Sequence, residues 1–129
     1  MNSAFPWAQM FAVAIGSVVG GVLRWAVQLW LNARWAGFPL GTLVVNCVGG
    51  LLIGVSLAWF ARSPNEMLRL LLVTGFLGGL TTFSAFTGES LTLLQRGDIG
   101  WALAHSAAHL LGALACCAMG FRLAKTLLA

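Results

Sequence analysis

Charged side chains are scarce in this sequence, and acidic ones are almost missing. Only 8% of the 129 residues are charged, and the three acidic residues are Glu66, Glu89 and Asp98. Paired-carboxylate catalysis, metal-ligand clusters and a nucleophile activated by a neighbouring base all need more such groups than the chain offers. A soluble domain with a charged surface is excluded for the same reason. We therefore expect a protein that is not an enzyme.

The sequence also lacks the residue patterns of several common binding sites. Its cysteines, Cys47, Cys116 and Cys117, have no CxxC spacing, so we interpret them as small apolar packing residues, with a metal or redox role as the alternative. No phosphate-binding glycine loop follows a strand-like segment, and no basic stripe indicates a nucleic-acid surface. The remaining functions are those carried out within a membrane.

Apolar side chains are abundant and occur in long runs. Of all residues, 60% are hydrophobic, and charged residues are missing from 1–23, 40–61, 70–88 and 99–121. Each run is long enough for a helix of about 20 residues to cross about 30 Å of hydrocarbon. We predict an all-α integral membrane protein whose single domain, residues 1–129, has four transmembrane helices at about 7–30, 40–60, 67–94 and 99–127.

Glycine is concentrated where helices would approach closely or bend. Three pairs have the four-residue spacing that lets helix backbones pack closely in lipid: Gly16 and Gly20, Gly50 and Gly54, and Gly75 and Gly79. The segment TGFLGGLTTFSAF, residues 74–86, adds threonines to the last pair. Irregular backbone at membrane depth is tolerated only where protein or a cavity covers it. We predict that the third helix is broken at its middle and that its freed carbonyls could hold a cation.

The basic residues are distributed almost evenly between the two sides of the predicted bundle. With a cytoplasmic N-terminus, the inner side has Arg62, Arg69, Arg122 and Lys125 and the outer side has Arg24, Arg34 and Arg96. Because Lys/Arg asymmetry sets orientation, we expect insertion in both directions, which makes an antiparallel dimer feasible. A weak bias that still gives one orientation is the alternative. Four helices also enclose little space for a solute pathway, which favours an oligomer.

Uncharged polar and aromatic residues are the candidates for function. Asn46 lies within the second span, one turn after Thr42, and a buried amide in lipid is costly unless it is satisfied. It either bonds to a neighbouring helix or offers its NH₂ to an anion. Phe83 and Phe86 are three residues apart, hence on one helix face. They are either core residues or a source of electropositive ring edges for an anion.

The segments GFLGGLTTFSAF and GTLVVN together resemble the signature of the Fluc-type (CrcB) fluoride channels. The resemblance extends over essentially the whole chain, including the early GGVLRW with Arg24 and the acidic Glu89 after the broken helix. It implies passive export of toxic fluoride across the bacterial cytoplasmic membrane. It also implies an antiparallel, dual-topology homodimer with separate pathways, each lined by both subunits.

The resemblance assigns roles along the anion pathway. Asn46 would donate a hydrogen bond to fluoride, and Phe83 and Phe86 would present ring edges in the pore. Ser84 and Thr42 would add hydroxyl groups along the track.

The resemblance also implies a cation site and roles for two charged side chains. The backbone carbonyls of Gly78 and Thr81 in each subunit would bind a single structural Na⁺ at the dimer interface, because oxygen ligands at a helix break suit a hard cation. Arg24 either snorkels near the end of the first helix or attracts anions. Glu89 is expected to cap or pair locally and is not assigned to the pore.

The chain departs from the family pattern in two helices. Ala85 stands where relatives commonly have threonine, and Ala113 where serine is frequent. In the fourth helix His105 and His109 are four residues apart, on one face. His109 is either a pathway residue or a hydrogen-bonding partner of a neighbouring helix, whereas His105 is expected to be structural or to lie in a vestibule.

Two other functions remain as alternatives. A small multidrug-type proton antiporter shares the four short helices and dual topology, but it needs a membrane-embedded carboxylate, usually in the first helix, and residues 7–30 contain no Asp or Glu. A scaffold subunit without transport activity would explain the glycine packing but not the broken, phenylalanine-rich third helix.

Overall fold

The computed structural model describes residues 5–35 and 37–129, which form helices and contain no strand. Among these residues, four helical spans are long and apolar enough to cross a membrane: Trp7–Asn32, Leu40–Arg62, Glu66–Gln95 and Ile99–Leu127. We label the first two α1 and α2 and the last α6. The prediction of an all-α protein with four transmembrane helices is confirmed, and the observed ends of the spans differ from the predicted ends by at most two residues.

The third span is not a uniform helix. It begins with α3 (Glu66–Arg69), continues as a π-helical segment over Leu70–Leu77, and makes one more turn, α4 (Gly78–Leu80), before α5 (Phe83–Gln95). Thr81 and Thr82, between α4 and α5, have extended backbone, with φ/ψ of −85°/155° and −151°/120°. The predicted break in this helix is confirmed, whereas the π-helical segment was not predicted.

Proline and polar side chains set several of the helix ends. Pro6 and Pro39 directly precede α1 and α2, where the missing N–H has no intrahelical role. The Asn65 side chain caps α3 by accepting a hydrogen bond from the Leu68 N–H at 3.0 Å. Gly97, between the third and fourth spans, has a φ of 81°, which glycine adopts without the strain that a side chain would add.

Glycines bring the helices into backbone contact. A Cβ added at Gly20 of α1 would collide with the Phe76 carbonyl, in the π-helical segment. A Cβ at Gly54 of α2 would collide with the Cys117 carbonyl of α6, and one at Gly120 of α6 with the Leu51 carbonyl of α2. The bundle therefore consists of two tightly packed pairs, α1 with the third span and α2 with α6. This close packing places polar groups of different spans within hydrogen-bonding distance.

We expect Gly20→Ala to destabilise the bundle and Gly21→Ala to leave it nearly unchanged. The first substitution forces a methyl group into the backbone of the third span, at a cost of about 1–3 kcal/mol. The second adds a methyl group that meets no atom of the described residues within 4 Å. Thermal unfolding of both variants in detergent measures the difference, and equal stability of the two would show that the α1 contact is looser than described.

Candidate functional site

The helix break is held by the side chain of Asn46. Its Oδ1 accepts a hydrogen bond from the Thr82 N–H at 2.8 Å, and its Nδ2 donates to the Thr82 carbonyl at 2.9 Å. The N–H and the carbonyl of Thr82 are therefore both bonded to one side-chain amide. This amide replaces the helical partners that these two backbone groups lose at the break. The same two bonds fix which end of the amide is oxygen and which is nitrogen.

The second hydrogen of the Asn46 NH₂ group faces the fourth span. Asn46 Nδ2 lies 3.1 Å from Nδ1 of His109, which is buried. Both amide hydrogens therefore face protein acceptors in this chain, and direct donation from Asn46 to an anion would require one of these bonds to be exchanged. The role of Asn46 as a fluoride donor stays a prediction.

A second group of polar side chains surrounds Glu89. Thr42, fully buried on α2, donates to Glu89 Oε1 and accepts from Gln28 Nε2 at 3.0 Å. Glu89 Oε2 lies 3.2 Å from Nε2 of His105, which is also fully buried. His105 Nδ1 in turn lies 2.9 Å from the Ser90 hydroxyl. Glu89 thus links α1, α2 and α6 through these contacts, a larger role than the local capping or pairing expected from sequence.

Aromatic rings lie between the polar groups around Glu89 and the helix break. Phe86 stacks on His105, with ring centroids 5.3 Å apart and an interplanar angle of 18°, and lies 4.8 Å from the His109 ring. Phe83 lies 5.4 Å from Phe86 but is 78% exposed. Ser84 is also exposed, and its hydroxyl is 3.1 Å from that of Thr82. The predicted pathway residues therefore divide into a buried or half-buried set (Thr42, Asn46, Phe86 and His109) and an exposed set (Phe83 and Ser84).

Two cavities flank these polar groups. One of about 510 Å³ is lined by Phe38, Glu89 and Arg96, among others. The other, of about 470 Å³, is lined by Asn46, Phe83, Phe86 and His109, among others. The His105 and His109 rings, 4.5 Å apart, connect Glu89 at the first cavity to Asn46 at the second. We call Thr42, Glu89, His105, His109 and Asn46 the polar line.

The carbonyl groups at the break are candidates for binding a cation. In a continuous helix the N–H groups of Thr82 and Ala85 would bond to the carbonyls of Gly78 and Thr81. Here Thr82 N–H bonds to Asn46 and Ala85 N–H bonds to the Thr82 hydroxyl. The two carbonyls predicted to bind Na⁺ are therefore the ones that lose these helical partners.

Arg24 also bonds to a backbone carbonyl at the helix break. Its Nε donates to the Gly79 carbonyl at 2.9 Å, and Gly79 is the residue whose continuous-helix partner would be the Phe83 N–H. The contact was not predicted, and both roles expected from sequence, snorkelling and attraction of anions, stay predictions. The guanidinium stabilises the carbonyl end of α4, a role that the sequence did not indicate.

We expect Thr42→Val to destabilise the folded protein, because the valine keeps the shape but leaves the half-buried polar ends of Gln28 and Glu89 without the hydroxyl. Each hydrogen bond lost costs about 0.5–1.5 kcal/mol, so the two together cost about 1–3 kcal/mol. Thr126→Val is the matched control, since that exposed hydroxyl bonds only to the Arg122 carbonyl of its own helix, within the described part of the chain. Thermal unfolding in detergent compares them, and a Thr42→Val variant as stable as the control would contradict the assignment.

Known proteins resemble this chain over nearly its whole length. The family model described as "CrcB-like protein, Camphor Resistance (CrcB)" matches residues 11–121. The fluoride-specific ion channel FluC of Aromatoleum aromaticum is 50% identical over 123 residues, which are 94% of each chain. The proteins of the same name from Nitrosomonas europaea and Pseudomonas aeruginosa are 47% and 46% identical over 110 residues, 84% of this chain and 87% of theirs. The resemblance found in the sequence is confirmed, and the chain belongs to the CrcB-like family.

Proposed function

We propose that this protein is a passive, fluoride-selective channel of the bacterial inner membrane that exports fluoride and so relieves its toxicity. The observation that carries the proposal is the polar line between two cavities, flanked by Phe83 and Phe86, in a chain whose relatives are named fluoride-specific ion channels. The protein is not an enzyme. Family membership also removes the support for the antiporter and scaffold alternatives.

The composition of the proposed pathway suits a small, strongly hydrated anion. Such an ion must exchange its water for hydrogen-bond donors and must also be able to leave, which calls for several moderate sites and no deep charged one. Hydroxyls, amide and imidazole groups and phenyl ring edges provide sites of this kind. Donors in a narrow path favour fluoride over the larger chloride. An inside-negative potential drives the anion outward, so a passive channel suffices for export.

We further propose that two copies assemble as an antiparallel homodimer. The nearly balanced distribution of basic residues supports insertion in both orientations. The exposure of Phe83 and Ser84 on the single chain supports a second subunit that covers them. In that arrangement the exposed set of pathway residues from one copy lies beside the partner, and each pathway is lined by both subunits.

A structural Na⁺ at the dimer interface is part of the same proposal. Its ligands are the carbonyls of Gly78 and Thr81 from each subunit. Two features support the assignment: these carbonyls lose helical partners at the break, and Gly78 is exposed on the single chain. Carbonyl oxygens suit a hard cation and leave the side chains of the pathway available for the anion.

Fluoride efflux from liposomes tests the function directly. Purified protein is reconstituted into vesicles loaded with fluoride or chloride, and release is followed with ion-selective electrodes under a K⁺ gradient with valinomycin. We expect rapid fluoride release and no chloride release, because the path offers donors in a narrow space. Equal release of both ions, or release of neither from well-folded protein, would contradict the proposal.

We expect Phe83→Ile and Phe86→Ile to reduce fluoride efflux by about tenfold or more while the protein remains folded. Isoleucine keeps apolar bulk but removes the electropositive ring edge, and a loss of about 1.4 kcal/mol at the rate-limiting step is a tenfold fall. Phe11→Ile, on the exposed face of α1, is the matched control. Gel filtration checks the assembly. Normal fluoride efflux from both variants would contradict a role of the rings in the pathway. Loss of the dimer in gel filtration would show that the rings have a packing role instead.

A further inference from the structure

Two cysteine thiols meet between α2 and α6. The thiol of Cys47, on α2, contacts the thiol of Cys116, on α6. Gly112 makes room for this contact one turn before Cys116, since a Cβ added there would lie 3.3 Å from Cys47 Sγ. Both side chains are half-buried, and neither forms a disulfide within the described part of the chain. The pair lies outside the polar line and does not line either cavity beside it. The proposed channel function therefore leaves the two thiols without a role.

The helix backbones that carry the two thiols are held close together. A Cβ added at Gly50 of α2 would lie 2.6 Å from the Ala113 carbonyl of α6, and one at Gly54 would collide with the Cys117 carbonyl. Backbone contact of this kind restricts how far the two sulfur atoms can separate. Ligands that are held in place before binding lose little freedom when they bind a shared ion. The two thiols are thus pre-organised to act together.

The third cysteine does not complete a larger site. Cys117 directly follows Cys116, and adjacent residues of a helix do not face each other. Among residues 5–35 and 37–129, no His, Cys, Asp or Glu side chain joins the pair to make a group of three ligand atoms. Zinc, which takes four ligands in structural sites, is therefore poorly served. The pair suits an ion that binds two thiolates in a line.

The surroundings of the pair select the charge of the ion. Cys47 and Cys116 lie within two membrane-spanning helices, and their sequence neighbours are apolar, so an uncompensated charge there is costly. Two thiolates and a divalent ion form a neutral group, whereas a monovalent ion would leave one negative charge. Thiolates are soft ligands that prefer soft metals. Mercury(II) is soft, is divalent and binds two sulfur atoms linearly.

We propose that Cys47 and Cys116 form a binding site for a soft divalent metal ion, and that Hg²⁺ is the ion that fits it. Neutral HgCl₂ reaches the thiols through the lipid. Each thiol loses its proton, two S–Hg bonds form and two Hg–Cl bonds break, and two protons and two chloride ions pass to the water. No oxidant or reductant takes part. The bound ion links α2 to α6.

Mass spectrometry of the intact protein tests the site. Purified protein in detergent is treated with an equimolar amount of HgCl₂ and then washed with excess glutathione. We expect the wild type to retain one mercury per chain, because glutathione must displace two sulfur atoms that the fold holds together. Cys117→Ser is the matched control and is expected to retain the mercury too. Cys47→Ser and Cys116→Ser are expected to lose it.

Loss of mercury from Cys117→Ser would overturn the assignment, and so would equal retention by the wild type and the other two variants. X-ray absorption of the wild type before the glutathione wash needs no variant. We expect it to show two sulfur neighbours of mercury, and a single one would overturn the proposal. Neither measurement depends on fluoride conduction, so the metal site and the channel function can fail separately.

Thermal unfolding in detergent provides a further test, since an ion that binds the folded pair more tightly than the unfolded chain raises the Tm. We expect HgCl₂ to raise the Tm of the wild type and of Cys117→Ser, and to leave that of Cys47→Ser and Cys116→Ser nearly unchanged. ZnCl₂ at the same concentration is expected to have no effect on any of them. An unchanged Tm of the wild type with HgCl₂, or an equal rise with ZnCl₂, would contradict a two-thiol site in the folded protein.

Discussion

The pair of hydrogen bonds between Asn46 and Thr82 is the interaction on which the rest of this structure depends. Backbone groups within a bilayer have no water to bond to, so a helix can be interrupted there only if other groups replace the lost bonds. One amide supplies a donor and an acceptor to the same residue. The chain can then extend at Thr81 and Thr82, and α5 starts with Phe83 and Phe86 placed beside a cavity.

The same amide connects the break to the polar line. Asn46 Nδ2 meets His109, whose ring lies against His105, and His105 meets Glu89 and through it Thr42. These groups come from different spans, so they meet only because glycines let the helices approach closely. Gly54 and Gly120 bring the backbones of α2 and α6 into contact. Packing and polar contacts therefore support each other. Larger side chains at the glycine positions would push the helices apart and separate the polar groups. The hydrogen bonds between the polar groups in turn hold the helices in register.

The sequence predicted the features that depend on local composition. The long segments without charged residues predicted the four spans, and the glycines followed by threonines predicted the break. Both features depend only on the residues of a single helix. Asn46 and His109 stood out as polar residues within apolar runs. The partners of Glu89 and Arg24 were missed because they depend on how helices are rotated against one another. The π-helical segment over Leu70–Leu77 has no local signal in its apolar sequence.

Two formal charges near the proposed pathway, those of Arg24 and Glu89, are held by protein groups. Arg24 bonds to the Gly79 carbonyl, and the Glu89 carboxyl contacts the Thr42 hydroxyl and the His105 ring. A bound arginine attracts an anion less strongly than a free one, and a bound carboxylate repels it less strongly. What the anion then meets is a field of oriented dipoles and ring edges, which can replace its water without retaining it. A pathway so poor in free charge would suit a small anion, because weak dipolar sites would release the ion as readily as they accept it.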